Sequence, residues 1–443
     1  LTFTNIVLNL ASPQQSMIEL YQIIIPFAVA FLATCWIYPK VLHIALDKNI
    51  VDNPDARKLQ RTPIPVLGGA SVFFGLMAGI CSAMIVAYCA SLFPVFGAMI
   101  IILAIGIIDD IIDLSPHVRF LIEIVLVLFL VFSTGNYIDN FHGLWAHNMI
   151  PMWFGVALTV FACVGIINSI NLIDGVDGYS SGFCIMASLL FGVMFFLAGD
   201  LNMTMLAVMT IGALLPFFFH NVFGKRSKMF IGDGGTLVLG VVMSTFVVNV
   251  LTSNTRCNVF DSNLGLVPFA LAVMCVPVFD TIRVMSARIA RGKSPFYPDK
   301  THLHHLFIDM KFSHIGTTAA ILLLNLCVVA AWWIAYRSGA SIEMQLYIVV
   351  ALSILITFVF YRVMRVQIEH NTRLFHAMRR IGYASHFRRT GLFFWLQKIM
   401  DKTVPIDEIE EPKHKTIEKV ASKKPRLRTD QSAAKNNRTA TQA

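Results

Sequence analysis

Of 443 residues, 56% are drawn from AVILMFWYC and only 14% are charged, against about 25% charged in ordinary globular domains; with a mean hydropathy of +0.68 this excludes a set of water-soluble domains. The formal charge of +9 is concentrated at one end, because Arg362 to Ala443 carries 18 Lys/Arg against 8 Asp/Glu and the rest is close to neutral. A basic segment after a membrane span faces anionic lipid head groups more readily than nucleic acid, so no nucleic-acid partner is expected.

Apolar runs between polar punctuation predict about eleven helices, near 21–44, 69–90, 93–108, 118–134, 152–170, 179–198, 203–223, 236–251, 265–285, 316–336 and 346–364. Runs of this length match the hydrocarbon thickness of a bilayer. The expected fold is an all-α polytopic membrane protein. Lys and Arg gather in alternate loops (Lys40 to Arg61, Arg119, Lys225 to Lys228, Arg288 to Lys311, and the tail), while the opposite set holds little beyond Arg256 and Arg337. The positive-inside rule then puts the N-terminus outside and the C-terminus in the cytoplasm. Residues 1–364 read as a transmembrane domain with cytoplasmic active-site loops, and 365–443 as a basic cytoplasmic tail. Within the tail, Phe393-Phe394-Trp395-Leu396 beside Arg388, Arg389 and Lys398 suggests an interfacial helix. Seven of eight cysteines sit in apolar runs and none forms a CxxC pair, so neither a disulfide framework nor a zinc site is expected. No basic region precedes the first apolar run, and no cleavable signal peptide is expected.

Polar clusters follow in chain order, all on the side assigned to the cytoplasm. The first loop places Arg57, Lys58 and Arg61 before Thr62-Pro63-Ile64-Pro65-Val66-Leu67-Gly68-Gly69, a stiff entry into the second span with Lys58 at head-group depth. Asp109, Asp110 and Asp113 follow at the inner end of the third span; carboxylates so close at a membrane boundary need a cation or a proton to offset them. Asn168, Asn171 and Asp174 recur at three-residue spacing and lead into Gly175-Val176-Asp177-Gly178. This polar stripe is costly without partners near lipid. Phe230-Ile231-Gly232-Asp233-Gly234-Gly235 opens the eighth span, where free N–H groups and the helix dipole suit phosphate and Asp233 suits Mg²⁺; Asp233 reads equally as a plain N-cap. Last, Asp299-Lys300-Thr301-His302-Leu303-His304-His305 follows Arg288, Arg291 and Lys293. The dense histidines suggest a transition-metal site or a cationic grip on phosphate, and the oxygen-rich neighbours favour the grip. Carboxylates, amides, a Gly-rich helix start and a basic, His-rich loop on one membrane face make the inventory for phosphoryl transfer to a lipid phosphate.

DDIIDLSPHVRF, NSINLIDGVDG, FIGDGG and DKTHLHH, in this order, resemble the polyprenyl-phosphate N-acetylhexosamine-1-phosphate transferases of glycosyltransferase family 4. The HLHH string is similar to that of the bacterial undecaprenyl-phosphate GlcNAc-1-phosphate transferases. The resemblance implies UDP-GlcNAc as donor, undecaprenyl phosphate as acceptor, UMP as leaving product, Mg²⁺ (with Mn²⁺ as substitute) as cofactor, and a multi-pass place in the bacterial inner membrane among its lipids, with oligomerisation left open. It further implies Asp109, Asp110, His302, His304 and His305 as catalytic, Asn171, Asp174 and Asp177 as substrate-binding, and Asp233 with Asn171 as the metal set; the polar clusters themselves add Lys58, Asn168 and Arg288 to the expected substrate-binding residues. Many relatives carry a His where this chain has Gln60, so a role for that His does not transfer. The rival readings are a phospho-MurNAc-pentapeptide transferase and, in another class, a carboxylate-based membrane transporter.

Overall fold

Every expected apolar run is helical in the computed structural model, which describes residues 13–52, 62–87, 89–112, 114–297, 299–386 and 390–403. Among the described residues eleven helices are long and apolar enough to cross a membrane. In chain order they are α1 (Pro13–Asp47), α2 (Gly68–Val86), α3 (Phe93–Ile112), α4 (Pro116–Thr134), α5 (Met152–Leu172), α6 (Tyr179–Leu197), α7 (Leu201–Phe223), α8 (Gly232–Leu251), α9 (Leu266–Ala290), α11 (His314–Arg337) and α12 (Ile342–Glu369). The short α10 (Leu303–Asp309) precedes α11. A two-residue hairpin, β1 (Val51–Asp52) with β2 (Ile64–Pro65), joins α1 to α2 antiparallel.

Several helices run past their apolar limits, and the extensions of α3, α8 and α9 carry candidate site residues. α3 continues to Ile112, so Asp109 and Asp110 fall in its last turn. α8 starts at Gly232, which puts Asp233 in its first turn. α9 reaches Ala290, which adds Arg288 to the helix that carries Asp280 and Arg283. Helical backbone satisfies its own N–H and C=O groups, so a helix can cross the lipid boundary without a change of structure.

The centre of the bundle is α8, with 94% of its most apolar window buried among α2, α3, α5, α6 and α9. Its first turn has no bulk: a Cβ on Gly106 of α3 would stand 2.3 Å from the Gly234 Cα, and one on Gly69 of α2 would stand 2.2 Å from the Gly235 Cα. The glycines therefore let three backbones meet, which brings the end of α3 against the start of α8. Gly106→Ala is expected to push α3 and α8 apart, costing about 1–3 kcal/mol as overpacking does and lowering turnover; thermal melting in detergent together with a rate assay checks both.

Because consecutive spans alternate in direction, the ends of α3, α5, α7 and α9 and the starts of α4, α6, α8 and α11 share one end of the bundle. The helices beyond residue 364 join it there. α13 (Arg373–Ala384) is tied down through Ser385, whose hydroxyl accepts from the Ser313 N–H at 3.0 Å and whose carbonyl accepts from the Ser313 hydroxyl at 2.7 Å. On α14 (Leu392–Lys402), Phe393 packs edge-on to Phe223, with ring centroids 5.3 Å apart. Asp401 Oδ1 accepts from the backbone N–H groups of Lys225, Arg226 and Ser227 at 2.9–3.1 Å. Described helices beyond residue 364, where the tail was expected to start, thus still pack on the bundle as far as Lys402. The expected interfacial stretch is helical, with Phe394 and Trp395 exposed.

Candidate active site

The two neighbouring carboxylates of α3 have different tasks. Asp109 is buried; its Oδ1 accepts from the Leu114 N–H at 2.7 Å, closing the turn into α4, and its Oδ2 accepts from Arg119 Nη1 at 3.0 Å. Asp110 accepts from the N–H groups of Asp233 at 2.9 Å and Gly234 at 3.4 Å. It caps α8 from a neighbouring helix, a favourable place for a negative charge. The N–H groups that the sequence offered to phosphate are therefore taken by Asp110, and the glycines around Asp233 serve close packing instead.

α4 starts on Ser115, whose side chain accepts from the Val118 N–H, with Pro116 in the first turn. That start aims Arg119 into the gap between α3 and α8. Its Nη1 lies 3.3 Å from Asp233 Oδ2 and its Nη2 3.5 Å from Asn171 Oδ1, while its Nε stands 3.8 Å from Oε1 of Glu123, one turn along α4. Asn171 donates through Nδ2 to Asp233 Oδ1 at 2.7 Å and to Thr236 Oγ1 at 2.9 Å. Asn168, one turn earlier, donates to the buried Glu123 and to the Val164 carbonyl. The expected polar stripe exists, but Asn168 faces Glu123 inside the bundle, and Glu123 stands between it and Arg119. Asp109, Asn171 and Asp233 surround one guanidinium.

The turn after α5 holds the next two carboxylates. Asp174 accepts from Ser180 Oγ at 2.5 Å; burial, helped by the charges of Asp233 and Asp177, pushes its carboxyl up to about 7. Burial would raise Asp177 too, but His314 at 2.8 Å and Lys228 at 2.6 Å hold it below the usual carboxylate range. Asp177 thereby ties the turn to α11 and to the loop before α8. At Gly175 a Cβ would stand 2.3 Å from His304 Nε2, so the missing side chain is what lets the histidine loop lie on this turn.

Asp280 organises that loop. Its Oδ2 lies 3.0 Å from His302 Nδ1 and accepts from the Leu303 N–H at 3.1 Å, and its Oδ1 accepts from Arg283 Nη2 at 2.6 Å. Arg283 also donates to the Thr301 carbonyl at 2.6 Å and stacks 3.7 Å over the Tyr361 ring, just past a π-helical segment of α12, Leu355–Phe360. The His302 and His304 rings are nearly parallel with centroids 5.7 Å apart, and His305 stands 4.3 Å from His304. His302 Nε2 and His304 Nδ1 are buried without a hydrogen-bond partner, a costly state unless a ligand completes it.

Burial, with the neighbouring histidines, takes His304 well below its ordinary value and His305 to about 4. The expected cationic grip is therefore neutral at these two rings at pH 7. An unfolded histidine near 6.5 takes up a proton that the folded rings refuse, so stability is lost as pH falls from about 6.5 towards 4. Melting between pH 7 and 5 should show this loss, and His305→Gln should reduce it.

Arg288 was expected to bind substrate. It is buried and donates to the Pro295 carbonyl at 2.7 Å and Asp299 Oδ1 at 3.0 Å, bracing the loop instead; Asp299, whose burial works the other way, is held at about 2 by Arg288 and Thr301. Phe296 of this loop packs edge-on to His117 and Phe120, either side of Arg119. Lys58 and Asp113 lie outside the described residues.

Arg119, Glu123, Asp280, Arg283, Lys228, His314 and Thr236 were not singled out in the sequence. For Glu123, Asp280 and Arg283 a signal existed, since an ionisable residue inside an apolar run is a functional candidate by default. Arg119 and Lys228 had counted only as topology markers. Among the described residues no three His, Cys, Asp or Glu side chains form a ready metal site; the acidic oxygens gather around Arg119.

The profile described as glycosyl transferase family 4 matches residues 92–251, which carry α3 to α8 and the whole acidic cluster. A Bacillus subtilis (strain 168) protein named "Probable undecaprenyl-phosphate N-acetylglucosaminyl 1-phosphate transferase" is 32% identical over 308 residues, 69% of this chain and 83% of that protein. The undecaprenyl-phosphate alpha-N-acetylglucosaminyl 1-phosphate transferases of Yersinia pestis and Escherichia coli (strain K12) are 28% and 31% identical, over 68% and 65% of this chain and 81% and 78% of theirs. With its eleven spans and this acidic end, the chain is a multi-pass membrane protein that belongs to glycosyl transferase family 4, among its undecaprenyl-phosphate N-acetylglucosaminyl 1-phosphate transferase-like members.

Proposed function

We propose that the protein transfers GlcNAc-1-phosphate from UDP-GlcNAc to undecaprenyl phosphate, giving undecaprenyl-diphospho-GlcNAc and UMP, the first membrane step of a cell-surface polysaccharide. The observation that carries this reading is the cage of Asp109, Asn171 and Asp233 around a cation at the bundle end, next to two buried histidine nitrogens without partners. Such a set recognises phosphates at a lipid boundary; a transporter places its carboxylates near mid-bilayer.

A phosphate monoester with a second pKa near 6 is already largely dianionic at pH 7, so the site needs charge compensation more than a strong base. The cage fits Mg²⁺ by its chemistry, since its donors are hard oxygens and the structure already fills the position with positive charge. Asp233, Asn171 and Asp109 would hold the ion, which would neutralise phosphate charge. Around it, Arg119 offers a second cation to a phosphate oxygen, Asp110 keeps α8 in register, and His302, with Nδ1 turned to Asp280, presents Nε2 to the substrate. The loop that Arg288 and Asp299 brace covers the donor.

The test is UMP release by purified protein with Mg²⁺, undecaprenyl phosphate and a panel of UDP-sugars. UDP-GlcNAc should be consumed and UDP-MurNAc-pentapeptide ignored; efficient use of the latter, or no UMP from any donor, overturns the reading. The site faces the cytoplasm of the bacterial inner membrane, with the N-terminus outside and the C-terminus inside, a reading supported by the Lys/Arg asymmetry between loops. In a background lacking the exposed Cys35, Cys81 and Cys327, cysteines at the exposed positions Arg226 and Ser294 should label from the cytoplasm and one at Ser262 from outside. Labelling of Arg226 and Ser262 from the same side breaks this topology.

A further inference from the structure

Arg119 sits where the acidic cage needs a cation, yet it is not locked there. Its contacts to Asp109, Asp233, Asn171 and Glu123 are 3.0, 3.3, 3.5 and 3.8 Å, most of them longer than the about 2.7–2.9 Å of a tight charge-assisted bond. The guanidinium is shared among four oxygens of three helices besides its own instead of being paired bidentately with one. Glu123 behind it is wholly buried and its Oε1, the atom nearest Arg119, has no hydrogen-bond partner. A guanidinium and a divalent ion cannot occupy the same oxygens, because like charges at such distances repel strongly in a low-dielectric site.

We propose that Arg119 is a resident counter-cation. While no divalent ion is bound it neutralises Asp109 and Asp233; when one enters, Arg119 yields those oxygens, pivots on Glu123 and meets a phosphate oxygen of the substrate. The proposal rests on the reading of the site as a divalent-cation-dependent phosphotransferase. It explains why a region rich in carboxylates keeps an arginine among its metal candidates, and it makes cation affinity and phosphate grip oppose each other. An arginine that only braced the fold, or only bound phosphate from outside the cage, would not restrain cation binding.

The experiment is a Mn²⁺ titration of the substrate-free, full-length protein in detergent at pH 8, with free Mn²⁺ read by electron paramagnetic resonance and turnover measured in parallel. Arg119→Gln should bind Mn²⁺ at least tenfold more tightly than the wild type while turnover at saturating cation falls at least a hundredfold. Arg119→Lys, which keeps the charge, should stay within threefold of the wild type in Mn²⁺ affinity. Gel filtration and melting report folding, and Arg119→Met, neutral and of similar length, replaces the Gln variant if that one does not fold. Equal or weaker Mn²⁺ binding by the neutral variant overturns the proposal and leaves the metal reading standing, as does a Lys variant that binds as tightly as the neutral one. If neither wild type nor variant binds Mn²⁺ saturably, the metal reading itself falls and takes the proposal with it.

Discussion

Asp233→Asn is expected to reduce turnover by at least a thousandfold with little change in melting temperature. The carboxylate meets Arg119 and Asn171 from the first turn of α8 and is the proposed Mg²⁺ ligand, and a neutral amide is a poor ligand for a hard cation. Stability should hold because Arg119 keeps Asp109 at 3.0 Å and because the cap of α8 comes from Asp110 to backbone N–H groups that the substitution leaves in place. A thousandfold loss corresponds to about 4 kcal/mol of transition-state stabilisation, in the range that removal of preorganised charge produces. Steady-state UMP release across a Mg²⁺ series decides it: more than a few per cent of wild-type turnover at ordinary Mg²⁺ concentrations would remove Asp233 from the centre of the site.

Asp280→Asn should damage fold and rate together. Asp280 and Arg283 are both buried and paired at 2.6 Å, so loss of the carboxylate charge leaves a buried guanidinium uncompensated, at a cost of about 3–5 kcal/mol. The same change weakens the contact that orients His302 and the bond from the Leu303 N–H that starts α10. Turnover should drop by about a hundredfold or more, as expected when the group that orients His302, the side chain proposed to face the substrate, is lost. Melting and kinetics in one detergent check both parts. A variant of unchanged stability would mean that Arg283 has enough in the Thr301 carbonyl and the Tyr361 ring.

The roles of Asp109 and Asp110 show how far reading of local sequence reaches. Their presence at a span end was legible, because carboxylates among isoleucines are conspicuous. Their separation into a partner of Arg119 and a helix cap was not, since it depends on which neighbour each faces in the last turn of α3. The HLHH string was equally visible, but the lowered pKa of His304 and His305 follows from burial and from the crowding of the three rings, and the setting of His302 follows from Asp280, 22 residues away in the chain and 3.0 Å away in space. Arg288 shows the converse: a basic residue beside a phosphate-flavoured loop reads as a ligand, whereas its two terminal nitrogens are paired with Pro295 and Asp299 of that loop.

By itself the sequence determined the eleven spans, the polar clusters confined to alternate loops, and the residue types of the site, because burial of apolar runs in lipid and the electrostatic cost of unpaired carboxylates act locally and leave a periodic trace. Only the tertiary structure decided that Gly106 and Gly234 touch, that Asp110 caps α8, and that Arg119 stands inside the cage of Asp109, Asn171 and Asp233. Those pairings join residues up to 128 positions apart, as Gly106 and Gly234 are, and they follow from how closely small side chains let whole helices approach, a property of packed surfaces that no stretch of one helix carries alone.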